Sequence, residues 1–211
     1  NESQNYLTFM LEVLKKEKEG ESCAPMYMIF DANHRSKYPV GPLMPGKFFP
    51  DSIVKLFHRN WFNGDFLTTA NTIGELAKKT GIDQKGLQET INKVNQYSKE
   101  GKDLDFQRGD NERDRFSGDP SFINPCLGPV DKSPFYAMRI DPGEFATCGG
   151  MAINENGQVL DTRNEVIKGL YATGNSSAAL LTTYPGAGAT LGPAMTYGYI
   201  AGKHLAGVNS G

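Results

Sequence analysis

The stretch GLYATGNSSAALLTTYPGAGATLGPAMTYGYIAG, residues 169–202, constrains this chain more than any other. Together with Val166, Ile167 and Lys168 it opens as an apolar run ending in Ala-Thr-Gly-Asn, the pattern of a buried strand that breaks into a tight turn over 166–175. A loop follows whose glycines, Gly186, Gly188 and Gly192, spell G-x-G-x-x-x-G. Pro193 then suits the first position of a helix running to about Leu205. The dinucleotide fingerprint is G-x-G-x-x-G directly after a strand. Here the spacing is one residue longer and Thr-Thr-Tyr-Pro precedes it, so a pyrophosphate cradle is excluded. A helix N-terminus still carries unpaired N–H groups and partial positive charge. Thr190, Leu191 and Gly192 are therefore expected to aim backbone donors at something electron-rich. Taken alone, the same residues read as an ordinary loop and helix cap.

The rest of the chain changes character near residue 134. Before it, charged helical patterns dominate. Tyr6, Leu7, Phe9, Met10, Leu11, Val13 and Leu14 give an amphipathic helix over 3–18. MYMIFD (26–31) predicts a strand, and the proline-rich 38–50 predicts an apolar loop. SIVKLFHRNWF (52–62) is ambiguous between helix and strand. Thr72 with Glu75 forms a capping box for a short helix ending at Gly81. Asp83 caps another, whose Leu87, Ile91, Val94 and Tyr97 recur at helical spacing. The charged residues 99–120 read as a solvated surface loop. After 134, strands alternate with glycine-rich turns: PFYAMRI (134–140), a hairpin turning at Asn156-Gly157, and the opening stretch. Two domains are expected, 1–133 and 134–211.

Composition serves to exclude. Twenty-two basic against 24 acidic residues, with no basic stripe, argues against a nucleic-acid partner. No apolar run approaches a membrane span. Cys23, Cys126 and Cys148 make neither a zinc pattern nor a disulfide framework, which points to a reducing, cytoplasmic setting, with or without peripheral membrane contact. The histidines, His34, His58 and His204, are isolated and read as surface or packing residues. The chain opens inside a helical pattern without Met and reads as a piece of a longer polypeptide.

Four stretches carry a family resemblance: MIFDANHRSKYP, DFQRGDNERDRFSGDP with NPCLGPV, PGEFATCGGMAIN, and the opening stretch. Together they resemble the C-terminal part of a flavoprotein family that includes fumarate reductases and 3-ketosteroid dehydrogenases. In that family an FAD domain is interrupted by a substrate-binding domain. The likeness within it is to 3-oxosteroid Δ1-dehydrogenases. The resemblance implies an α+β fold: a substrate-binding cap domain, truncated on its N-terminal side, plus the C-terminal edge of an α/β FAD-binding domain.

It also implies roles. The family's Tyr-x-Gly-x-Gly falls on Tyr184, Gly186 and Gly188, where the tyrosine hydroxyl and the second glycine's N–H hold a steroid C3 carbonyl. The chemistry is sound on its own terms. Proton loss α to a ketone builds charge on the oxygen, and two aimed donors form an oxyanion hole. An Asn-Glu-x-x-x-Tyr pattern places the family's general base at Tyr6, which would take the C2 proton while hydride leaves C1 for flavin N5. A free tyrosine, with pKa near 10, is a poor base at neutral pH. The family supplies a second tyrosine from its N-terminal half. Tyr6 fits the apolar stripe of its helix as well as the catalytic role.

On the cofactor side the resemblance implies non-covalent FAD. Gly149 and Gly150 would approach its N5 and O4 edge. Asn175, after Gly174, would lie near ribityl or ribose hydroxyls. Leu191 and Gly192, with Ala189 and Thr190 beside them, would face the O2 edge. Without the N-terminal dinucleotide unit, the isolated chain is expected to bind FAD weakly or not at all, and to be inactive. No residue identifies the electron acceptor. Two alternatives stay open: a fumarate-reductase-like enzyme with another substrate, and a non-enzymatic fragment that binds a ligand or partner. Fumarate reductases need Arg and His for a dicarboxylate. The segments expected near the flavin offer Tyr, Thr, Gly and Ala instead, which favours an apolar ketone.

Overall fold

The computed structural model describes residues 1, 6–62, 66–143, 149–181 and 186–207. Helix and sheet are mixed in two compact units. The first comprises Phe9–Pro142 with Asn1–Gln4, the second Gly143–Gly211 with Asn5–Thr8.

The first unit is built on a three-stranded antiparallel sheet in the order β1 (Met26–Phe30), β3 (Phe135–Ile140), β2 (Leu67–Ala70). Alternation along the strands sorts their side chains by face. Phe135 and Ala137 join Ala70, Ile73, Leu76, Ala77, Leu87 and Ile91 in one buried cluster. Tyr136 joins Phe30, Val40, Leu43, Val54 and Leu67 in the other. The first cluster lies under α4 (Ile73–Thr80) and α5 (Gln84–Glu100). Both helices start and stop where the sequence says. The Thr72 hydroxyl accepts the Glu75 N–H at 3.1 Å and the Asp83 carboxylate accepts the Gly86 N–H at 2.6 Å. Gly81 and Gly101 close the helices in left-handed geometry, φ 76° and 70°.

Helix α1 (Tyr6–Lys18) matches the amphipathic pattern over its described residues. The ambiguous segment resolves as helix, α3 (Asp51–Phe57), followed by a 3-10 turn, Arg59–Phe62. Between β1 and α3 runs α2 (Ala32–Lys37), capped by Asp31, and then the expected loop. His34 packs between Phe30 and Tyr38, ring centroids 5.2 and 4.9 Å away, and burial lowers its pKa. His58 stacks on Trp61.

One expectation fails in this region. Residues 99–120 are not a freely solvated loop. Asp103, Asp114 and, just beyond, Asn124 are buried. Asp103 accepts the N–H groups of Asp105 and Phe106 and the Arg108 Nε at 2.6 Å. Asn124 donates to the Gly101 and Arg108 carbonyls. A short helix, α6 (Glu112–Phe116), sits inside the segment. The charges are spent on local backbone, which composition cannot reveal. The border between the two units falls at Pro142–Gly143, a few residues beyond the change of composition at 134. β3 lies beyond the compositional change, yet its ladders to β1 and β2 hold it in the first unit.

The second unit pairs β4 (Gln158–Leu160) with β5 (Val166–Tyr171) antiparallel and carries α7 (Leu191–Leu205). The predicted hairpin is present. Asn154 and Gln158 pair across it, and Gly157 takes φ 75°. The expected burial of 166–175 is overturned. β5 is exposed from Val166 to Leu170, because a two-stranded sheet leaves most of this apolar strand uncovered. Tyr171 at its end hydrogen-bonds His204 of α7 at 2.7 Å.

Candidate functional site

Three of the segments singled out in the sequence meet in the second unit. Each junction has a local cause. Gly150 lies where a side chain has no room: a Cβ there would stand 2.3 Å from the Ser177 carbonyl carbon. That absence lets the two backbones pair, Met151 N–H to Ser176 O at 3.0 Å and Ala178 N–H to Met151 O at 2.8 Å. Gly149 and Gly150 are thereby tied to the turn that follows β5. The turn is a 3-10 element, Gly174–Ser176, with Gly174 at φ 59°. The Ser177 hydroxyl, buried, donates to Gly174 O at 2.9 Å.

The second junction ties this turn to α7. Thr173 Oγ1 donates to Ala194 O at 2.9 Å. A Cβ on Gly174 would come within 3.3 Å of the Ala194 side chain. The glycine loop reaches α7 through two positive-φ positions, Gly186 at 130° and Gly188 at 89°. Both lie where L side chains are strained, so these two glycines are needed by the backbone itself. Ala189 N–H bonds Gly186 O at 3.1 Å and Gly192 N–H bonds Gly188 O at 2.8 Å.

The helix begins at Leu191, two residues earlier than Pro193 predicts. Proline is still tolerated there, since the first-turn N–H groups have no intrahelical partner. The Gly192 N–H, one of three donors expected to point outward, is engaged within the loop. Thr190 stands at the N-cap without a side-chain cap hydrogen bond.

Gly149, Gly150, Asn175, Gly188, Thr190, Leu191 and Gly192 are exposed, while Gly174 and Ala189 are half-buried. The structure thus joins Gly149 and Gly150 to the 174–177 turn, and that turn to the first turn of α7. Tyr184 lies outside the described residues. Tyr6 opens α1, its side chain likewise undescribed. Thr173 and Ser177 were not singled out by motif reasoning, although polar residues flanking a Gly-Asn turn are the signal that marks them. Among the described residues no group of His, Cys, Asp and Glu is placed to hold a metal ion, and no helix is long and apolar enough to cross a membrane.

A strand end, a glycine turn and a glycine-loop helix N-terminus thus lie close together in the second unit. Residues 1–191 match the family described as FAD binding domain, and the chain belongs to that flavoprotein family. It is 43% identical to the 3-oxosteroid 1-dehydrogenase of Comamonas testosteroni, over 92% of this chain and 33% of that protein. It is 37% identical to the 4-oxocyclohexanecarboxylate 2-dehydrogenase of Sinomonas cyclohexanicum, over 100% of this chain and 35% of that one. The crystal structure of 3-ketosteroid delta1-dehydrogenase from Sterolibacterium denitrificans, in complex with 1,4-androstadiene-3,17-dione, superposes with a TM-score of 0.88 at 41% identity. That superposition covers 99% of this chain and 37% of that one. The chain therefore spans about a third of the length of the curated relatives it matches.

Proposed function

We propose that this chain is the C-terminal portion of an FAD-dependent dehydrogenase that introduces the 1,2 double bond of a 3-ketosteroid. The observation that carries the reading is the superposition on a 3-ketosteroid dehydrogenase over 99% of the chain at 41% identity. In this reading the first unit is the substrate-binding cap, and the second is an edge of the FAD domain. The junction of Gly149–Gly150, Gly174–Asn175 and Ala189–Gly192 fits the isoalloxazine rim, because the tight Gly150 packing and the exposed backbone around it leave room for a flat ring system. When bound, the flavin supplies the acceptor for the C1 hydride.

The chain's own residues do the rest. Tyr184 and the Gly188 N–H hold the C3 carbonyl oxygen and stabilise the charge that grows on it. Tyr6 removes the C2 proton. The reading keeps the protein in the cytoplasm, where its widely spaced cysteines stay reduced.

A second substrate is favoured by one finding: the match to the 4-oxocyclohexanecarboxylate dehydrogenase runs along the whole chain. Both ketones are ring ketones that lose a proton from the carbon beside the carbonyl, so one oxyanion site serves either. The experiment is to add each substrate anaerobically to the full-length flavin-loaded protein. Bleaching by androst-4-ene-3,17-dione and not by 4-oxocyclohexanecarboxylate supports the steroid reading. The reverse result moves the substrate to the smaller ring, and bleaching by neither discards both. In the same protein Tyr184→Phe should lower kcat by roughly 10²–10³-fold, the effect of one lost oxyanion donor, with the flavin spectrum unchanged. An unaltered kcat removes Tyr184 from the mechanism.

A further inference from the structure

Thr173 uses its side chain in a way that its own position does not call for. It stands at the N-cap of the Gly174–Ser176 turn in extended geometry, φ -149° and ψ 167°. A threonine hydroxyl there ordinarily accepts an N–H of the element it opens. Thr173 makes no such cap. Its hydroxyl donates instead to the Ala194 carbonyl at 2.9 Å, 21 residues further along and in the first turn of α7. A helical carbonyl already faces the amide four residues on, so Ala194 does not need Thr173 for its own satisfaction.

What the bond does is hold two elements at one spacing. Gly174 and Asn175 follow Thr173 directly, and Thr190, Leu191 and Gly192 lie just before Ala194. Gly174, at φ 59°, brings the turn so close that a Cβ on it would meet the Ala194 side chain at 3.3 Å. The Ala194 N–H returns to the Thr190 carbonyl at 3.1 Å, so a shift of Ala194 is passed to the start of the helix. Thr190 has no side-chain cap of its own to resist that shift. Among the described residues, the Thr173 bond is the sole hydrogen bond between 173–177 and 190–195.

Resting on the reading that these two elements rim the isoalloxazine, we propose that Thr173 is a positioning residue for the flavin. It brings no group to the ligand. It sets the spacing at which Asn175 and the amide end of α7 meet the ring. Hydride uptake gathers negative charge along the N1 and O2 edge of that ring, and N–H groups at a helix N-terminus favour such charge. The Thr173 hydroxyl therefore governs how readily the bound flavin is reduced.

The test compares two variants of the full-length flavin-loaded protein. Thr173→Val keeps the branched shape and loses the hydroxyl, and Thr173→Ser keeps the hydroxyl. Reductive titration against a dye of known potential, without substrate, should show the reduced-to-oxidised ratio of Thr173→Val lowered roughly tenfold, about 30 mV for two electrons. Thr173→Ser should titrate with the parent, and in Thr173→Val kcat should fall while KM holds. An unmoved potential in Thr173→Val overturns the proposal. So does an equal shift in Thr173→Ser, which marks packing, or a Thr173→Val protein that does not fold, which marks stability. Asn175→Ala separates this failure from that of the underlying reading. If it weakens FAD binding while Thr173→Val leaves the potential unmoved, the rim stands and Thr173 alone is removed. If FAD binding is unaltered as well, the rim is discarded with it.

Discussion

The two units of this chain solve different problems. The first buries apolar side chains on both faces of its sheet, with Leu67, Leu76 and Ala77 fully enclosed. In the second, the buried apolar residues among those described are Val159, Ala172 and Ala201, while β5 and Leu191, Met195 and Tyr199 of α7 lie open. Its geometry is set by turns, glycines and side-chain-to-backbone hydrogen bonds. A scaffold with a core tolerates surface change and fails when hollowed. A surface of assembled loops behaves the other way round: it fails when backbone is pushed apart.

The largest expected effect breaks the first unit. Leu76→Ala removes a fully buried side chain and should cost about 4 kcal/mol, whereas Leu170→Ala on exposed β5 should cost under about 1 kcal/mol. Denaturant titration of the two variants compares them directly, and equal losses would dissolve the distinction. Next comes the second unit's own weak point. Gly150→Ala forces a Cβ into the Ser177 backbone and should cost about 2 kcal/mol and lower flavin occupancy. Gly149→Ala, with open space around it, should leave Tm near the parent value. If the two glycines respond alike, the junction of 149–151 with 176–178 is not what holds the site.

The smallest effect concerns pH. The Asp119 carboxylate, accepting hydrogen bonds from the Tyr38 hydroxyl and from Ser121, is held well below the usual carboxylate range. Burial, and then the bond to Asp119, push the Tyr38 phenol up to about 12. With a depressed folded-state pKa, Asp119 adds stability that is complete above about pH 4 and fades as pH falls below it. Tm measured from pH 6 downward should drop less steeply in Asp119→Asn than in the parent. Identical slopes would show that the contact does not hold this loop to the first unit.

Local rules read most of the secondary structure correctly. Thr72, Asp83, Gly81 and Gly101 bound two helices because caps depend on neighbours three or four residues away. Gly157 turned the hairpin for the same reason. What local rules missed was decided by which groups each side chain meets once the chain is folded. Nothing in 99–120 announces that Asp103 will be spent on Arg108 and backbone amides, or that Asn124 will bridge two carbonyls. The apolar β5 reads as buried, but burial depends on which surface covers it, and among the described residues none covers Val166 to Leu170.

The candidate site divides in the same way. That Gly186 and Gly188 would be needed by the backbone was legible from glycine spacing in one stretch of sequence, because spacing sets which backbone conformations are open. That Gly150 must abut Ser177, that Thr173 must reach Ala194, and that the Gly192 amide turns back to Gly188 came only with the tertiary structure. Close approach of separate segments is a property of the packed chain. It leaves no periodic trace along the sequence.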